Sequence, residues 1–209
     1  MYDFDHGLFL ALNFDGGPTV DLLMRAVSGT RLWIPLYLLI LVLVWRRYGV
    51  RNTLLFLVLM AGALGAADLI CGIFKASGPL KHLLPEFQPR WRPMFTPELE
   101  GLAISPDSLY TIRKLGIPGD WQVHVPAEVV TGYYGTVSAH AATVVALAVL
   151  ACAAIRRRWF TILMVVSTVA ICYSRIYLAK HFPMDICWGT LVGLLVGWGA
   201  WALFKRFRK

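Results

Sequence analysis

The side chains best suited to chemistry in this chain fall in one stretch, Ser174-Arg175-Ile176-Tyr177-Leu178-Ala179-Lys180-His181-Phe182-Pro183-Met184-Asp185. An arginine six residues before a histidine can hold an anion against the imidazole. An aspartate four residues after it falls on the same helical face and can fix the ring. Pro183 suits the first turn of a following helix, which puts His181 at a positively polarised helix start. That arrangement suits a phosphate. A second stretch, Val137-Ser138-Ala139-His140, opens a long apolar run. Ser138 there can cap the helix or hydrogen-bond a phosphate oxygen. A third, Arg90-Trp91-Arg92-Pro93, adds guanidinium groups, whose planar fork matches phosphate geometry.

The elements that must position these groups are apolar. Hydrophobic residues make up 58% of the 209 and charged residues only 15%, low for a soluble domain of this size. Apolar runs at about Leu32–Trp45, Leu54–Phe74, Ala139–Ile155, Trp159–Leu178 and Ile186–Phe204 read as five membrane-spanning helices in an all-α bundle. Residues 1–28 hold two short amphipathic pieces, Phe4–Leu12 and Val20–Val27, split by Asp15-Gly16-Gly17-Pro18. They are too short to span and are expected at the interface or against the bundle. The acidic start of the chain lacks the basic region of a secretory signal. The sequence reads as one membrane-embedded domain.

Arg46, Arg47 and Arg51 lie between the first and second spans, Arg156, Arg157 and Arg158 between the third and fourth, and Lys205, Arg206, Arg208 and Lys209 close the chain. The positive-inside rule puts these clusters and the carboxyl terminus in the cytoplasm. The net charge of +8 follows from this asymmetry and calls for no nucleic-acid partner. The proline-rich connection 76–132 is then extracytoplasmic, on the same face as Ser138 and His181. A connection this long is usually functional or capped by short helices. Glu98 and Glu100 within it read as solvated, and His6, His82 and His124 as loop residues without metal spacing. Cys71, Cys152, Cys172 and Cys187 sit in apolar segments and read as packing residues. No metal or cofactor is called for.

Taken together, the blocks resemble the signature of the type-2 phosphatidic acid phosphatase family, which shares its core with vanadium-dependent haloperoxidases. The last block matches in full: Ser174-Arg175, five residues, His181, three residues, Asp185. The family's Pro-Ser-Gly-His is here Val137-Ser138-Ala139-His140, which keeps the serine and the histidine. The family's first block, a lysine, six residues and Arg-Pro, is broken: Arg92-Pro93 ends it, but Pro85 stands where the lysine belongs. Lys75 matches by its place at the end of a span, with Lys81 as its rival and Arg90 as a further candidate. The resemblance implies a metal-independent phosphatase working through a phosphohistidine. His181 would be the nucleophile, Asp185 the acceptor of its other ring proton, and His140 the general acid. Lys75, Arg92, Ser138 and Arg175 would hold the phosphate. Asp68, near the outer end of the second span, would buttress Lys75 or another site cation, and Lys180 would snorkel to the interface.

A site at the outer interface above a lipid-facing bundle implies a membrane lipid with a phosphate headgroup as substrate. Small relatives of this kind suggest undecaprenyl diphosphate in a bacterial inner membrane. A lipid A phosphatase, or one acting on phosphatidylglycerophosphate or phosphatidate, is the alternative. A phosphotransferase and a non-enzymatic lipid-binding protein are the other classes the pattern allows.

Overall fold

The computed structural model describes residues 2–75, 79, 83, 84, 86–126 and 129–208, and among these it is all-helical, with one isolated bridge between Trp91 and Tyr134. Two short helices, α1 (Tyr2–Leu12) and α2 (Gly17–Ser28), precede α3 (Ile34–Ile73). The 3-10 turns Pro93–Phe95 and Pro97–Glu100 and the helix α4 (Pro106–Lys114) follow. Then come α5 (Ala139–Ile155), α6 (Arg158–Tyr177) and α7 (Pro183–Phe207). By length and composition Arg31–Ile73, Arg158–Tyr177 and Pro183–Phe207 are able to cross a membrane, and α5 is a shorter apolar helix of 17 residues.

The two apolar runs expected before the long connection are the two halves of α3, joined directly at a kink. Helix α3 breaks at Gly49, whose φ of 75° and ψ of 173° are open in practice to glycine alone. Its halves, 34–48 and 50–73, run back alongside each other, because Tyr37 from the first lines the same cavity as Met60 and Leu64 from the second. The reversal stays short because both flanks remain helical up to the glycine.

Helices α5 and α7 make the most extensive contact in the bundle, and a glycine row explains it. Gly189, Gly193 and Gly197 recur every fourth residue along one face of α7. A Cβ on Gly193 would lie 2.5 Å from Ala142 O, and one on Gly197 2.9 Å from Ala146 O. Small residues at this spacing let two backbones approach closely, as in membrane helix pairs. Ile40, Val44, Phe56, Leu150, Phe160, Met164 and Phe204 fill the core beside this pair. Outward faces carry large apolar side chains such as Val58, Leu69, Ile162, Val166, Leu195 and Trp198.

The basic clusters converge at one end of the bundle. Arg47 Nη1 donates to the Ile155 carbonyl, and Arg208 Nη1 donates to the Tyr48 hydroxyl at 3.3 Å. At the opposite end the stretch 93–123 of the connection is folded onto the helix termini. Met94, Phe95, Leu99 and Val123 bury themselves against Phe9, Ile176, Ala179 and Phe182. Glu100, read from sequence as a solvated carboxylate, is buried here. It pairs with Arg113 and accepts the amides of Gln122 (2.7 Å) and Val123 (3.3 Å), so the fold needs its charge to tie two turns together. The short helices pack on the bundle as expected, with α2 against α6 and α1 against both α6 and α7. The described cysteines are free thiols.

Candidate active site

The site is assembled where α6 hands over to α7. Helix α6 ends at Tyr177 with Leu178 as its C-cap, and Ala179 adopts a left-handed conformation (φ 49°) rare for a residue with a Cβ. The reversal lets the amides of Lys180 and His181 both bond to the Arg175 carbonyl, at 2.9 and 3.3 Å. Arg175, Lys180 and His181 are thereby folded towards one another, all three buried.

Residues 90–92 lie antiparallel to 133–136 and bring in the rest. Arg92 N donates to Tyr133 O at 3.0 Å, Gly135 N to Arg90 O at 2.9 Å, and Arg90 N to Thr136 Oγ1 at 2.9 Å. Arg92 then bends over the glycine turn, with Nε donating to Tyr134 O (3.2 Å) and Nη1 to Thr131 O (2.5 Å). The left-handed Gly132 (φ 68°) leaves room for its guanidinium; a Cβ there would lie 3.0 Å from Arg92 Cζ.

His181 Nδ1 stands 2.9 Å from the Gly135 carbonyl. A carbonyl only accepts, so Nδ1 carries the proton and Nε2 is left with its lone pair. This revises the role given to Asp185. Its Oδ2 is 3.6 Å from Nδ1 and instead accepts the Phe182 amide at 2.9 Å, because Pro183 starts α7 and sets Asp185 in the first turn, where a carboxylate reaches back to the N-cap amide. Ser138 behaves as a cap: its Oγ accepts Ala141 N at 3.4 Å, and its own amide donates to Asp185 O at 3.1 Å, which locks the starts of α5 and α7 together. Ser174 Oγ donates to Ile171 O within α6.

The electrostatics favour an anion. Burial, reinforced by the guanidiniums of Arg175 and Arg92 and by His140 and opposed by the Gly135 hydrogen bond, holds the His181 pKa well below its usual value. Lys180 falls to about 7, first through burial and then through Arg92 and Arg175. Among the described residues no carboxylate forms an ion pair with Arg92, Arg175 or Lys180. Arg175 Nη1 donates to Ser28 Oγ at 2.5 Å while its Nε is buried without a hydrogen-bond partner.

Lys180 is the cation that sequence reasoning missed. It does not snorkel; Nζ donates to the Val129 carbonyl and to Thr131 Oγ1 at 2.7 Å. Lys75 is exposed just past the end of α3 and does not join this cluster. Lys81 and His82 lie outside the described residues. Arg90 is turned to Asp5 and Asp185 rather than to the cluster. His124 is fixed by Asp21, with Nε2 at 2.8 Å from its Oδ1, and His6 stacks on Phe182.

A cavity of about 490 Å³ opens beside the cluster. Ser28, Thr30, Asp68, His140 and Thr143 give it polar groups, while Trp33, Met60, Leu64, Val144, Leu147 and Ile171 make most of its wall apolar. Asp68 therefore faces this cavity with His140 rather than an ion-pair partner among the described residues.

Buried cations around a free imidazole nitrogen, with a second histidine on an adjoining apolar cavity, make an arrangement chemically suited to phosphoryl transfer. The PAP2 superfamily model matches residues 53–209, which include Arg92, His140, Arg175, Lys180, His181 and Asp185. The chain belongs to the PAP2 superfamily. With membership comes the activity class the motifs implied, a phosphoric ester hydrolase acting on lipids. The chain is similar to a lipid A 4'-phosphatase of Bacteroides thetaiotaomicron, 28% identical over 204 residues, 98% of this chain and 77% of that protein. A lipid A 4'-phosphatase of Porphyromonas gingivalis is 27% identical over 197 residues, 94% of this chain and 71% of that protein. No solved structure matches the chain significantly.

Proposed function

We propose that this PAP2 protein removes the phosphate of a lipid A-type glycolipid at the outer face of a bacterial inner membrane. The observation that carries the substrate reading is that two relatives aligned with nearly the whole chain bear the name lipid A 4'-phosphatase. It favours the glycolipid over undecaprenyl diphosphate. The cavity supports it: an apolar wall suits acyl chains, and the Thr30, Asp68 and Thr143 oxygens suit sugar hydroxyls.

His181 is the nucleophile in this reading. Its depressed pKa keeps Nε2 unprotonated at neutral pH. Nε2 attacks phosphorus, and the bond to the lipid oxygen breaks as His140 donates a proton to that oxygen. Water deprotonated by His140 then attacks the phosphohistidine, releasing inorganic phosphate and restoring His181. Arg92, Arg175 and Lys180 hold the non-bridging oxygens, supplying the positioning and charge on which phosphoryl transfer mainly depends. Asp185 stabilises the ring as it becomes cationic, and Ser138 acts by fixing the helix starts.

Five crossings follow if the halves of α3 each traverse the membrane with α5, α6 and α7 as one domain. The basic end is then cytoplasmic and the site external. The test is phosphate release by purified protein in detergent, with chelator present, from lipid A, undecaprenyl diphosphate, phosphatidylglycerophosphate and phosphatidate. Preference for lipid A that is lost in His181→Ala supports the proposal; release from another lipid alone, or release surviving in the variant, refutes it.

A further inference from the structure

Helix α1 carries a buried carboxylate that the phosphatase reading leaves without a task. Asp5 is only 5% exposed. Its Oδ1 accepts the Met184 amide at 3.0 Å, in the first turn of α7, and its Oδ2 accepts Arg90 Nη1 at 2.5 Å. The same Arg90 nitrogen stands 3.5 Å from Asp185 Oδ1, and the guanidinium lies 3.6 Å from the centre of the Phe182 ring. Phe182 directly follows His181, and α1 holds it as well, with His6 stacked at 4.9 Å and Phe9 edge-on at 5.4 Å. Arg90 also accepts Gly135 N through its carbonyl, and Gly135 O is the acceptor for His181 Nδ1. One arginine thus touches both groups that face the imidazole proton, and Asp5 holds that arginine.

We propose that Asp5 is a positioning residue for the phosphohistidine step, acting on His181 through Arg90, Asp185 and the first turn of α7. The proposal rests on the phosphatase reading above. Arg90 lies between two buried carboxylates, and the short contact goes to Asp5. Asp185 therefore keeps its Oδ2 on the side of the ring, 3.6 Å from Nδ1. A carboxyl oxygen held there matters most when Nε2 bonds to phosphorus and the imidazole becomes cationic. Without the Asp5 charge, Arg90 loses its short ion-pair contact and pulls on Asp185, shifting the carboxyl off the ring. The phosphate itself is held by Arg92, Arg175 and Lys180, which Asp5 does not touch. The loss therefore falls on kcat and spares KM.

The full-length protein in detergent provides the test, with lipid A bearing its 4'-phosphate as substrate and inorganic phosphate as competitive inhibitor. Asp5→Asn is expected to lower kcat by roughly 10- to 100-fold, with KM and inhibition by phosphate unchanged. Asp3→Asn, exposed on the same helix, is expected to match the parent. Adding Arg90→Gln to Asp5→Asn removes the guanidinium that would pull Asp185 off the ring, so the double variant is expected to lose less than the product of the single losses. A parental kcat in Asp5→Asn overturns the proposal, as does a kcat that falls only in step with rising KM or with the folded fraction. Should the asparagine variant fail to fold, Asp5→Ser is read by the same criteria. Failure of both to fold makes Asp5 a folding residue and also overturns the proposal. Failure of the phosphatase reading looks different: the parent protein itself releases no phosphate.

Discussion

Lys180 is buried among arginines, yet its ammonium is the form a phosphate binds. Its pKa of about 7 means that the empty site loses this charge as pH rises through neutrality. A phosphate monoester has a second pKa of about 6 and is already a dianion there. KM is therefore expected to climb above pH 7, by up to about tenfold per pH unit. Lys180→Arg keeps the charge and is expected to flatten that limb, which KM measured from pH 6 to 9 would show. At Gly135 the prediction concerns backbone geometry. A Cβ would sit 3.0 Å from Lys180 O and 3.2 Å from His181 Nδ1, so Gly135→Ala must move the carbonyl that fixes the ring. We expect kcat to drop by roughly 100-fold with little change in melting temperature. His181, His140, Arg92 and Arg175 were legible in the sequence because each lies in a short motif whose spacing carries chemistry. Lys180 was not, because its direction depends on the left-handed turn at Ala179. Gly135 and Asp5 depend on contacts 46 and 85 residues distant in sequence, which no local pattern encodes.

The elements themselves follow closely from apolar runs and their punctuation. Ser138 and Pro183 mark the starts of α5 and α7, and the Gly-Gly-Pro turn separates α1 from α2. The break between the first two spans was legible from Arg46, Arg47 and Arg51, but its form was not: the chain reverses on Gly49 alone. The glycine row of α7 gains its meaning only from its partner face on α5, which no local pattern encodes. This row carries the prediction at this scale. Gly193→Ala drives a methyl against the Ala142 carbonyl and is expected to destabilise the bundle by about 1–3 kcal/mol. Gly199, two residues beyond Gly197 and off that face, has nothing within 4 Å of a Cβ, and Gly199→Ala is expected to be neutral or slightly stabilising. Thermal unfolding of both variants in detergent separates the two cases.

At the scale of the whole molecule, charge and chemistry occupy opposite ends. Arginines and lysines gather where Arg47 and Arg208 meet the Tyr48–Ile155 region, and the cluster of Arg92, Arg175 and Lys180 lies at the far end with the folded stretches 86–126 and 129–137. The proposed orientation makes a cysteine placed at Asp120 reactive to an impermeant maleimide added to intact cells, and one placed at Arg157 reactive only after lysis. The opposite pattern would invert the topology. The polarity was legible from the basic clusters, whereas the cavity was not, since its walls come from α2, both halves of α3, α5 and α6. The central claim is that phosphate passes from the lipid to His181, and trapping that species tests it most directly. Protein mixed with lipid A carrying a labelled 4'-phosphate, quenched in alkali within a turnover and mapped by peptide, is predicted to hold acid-labile, alkali-stable label on His181. Label on another residue, or undiminished turnover in His181→Ala, would contradict the account.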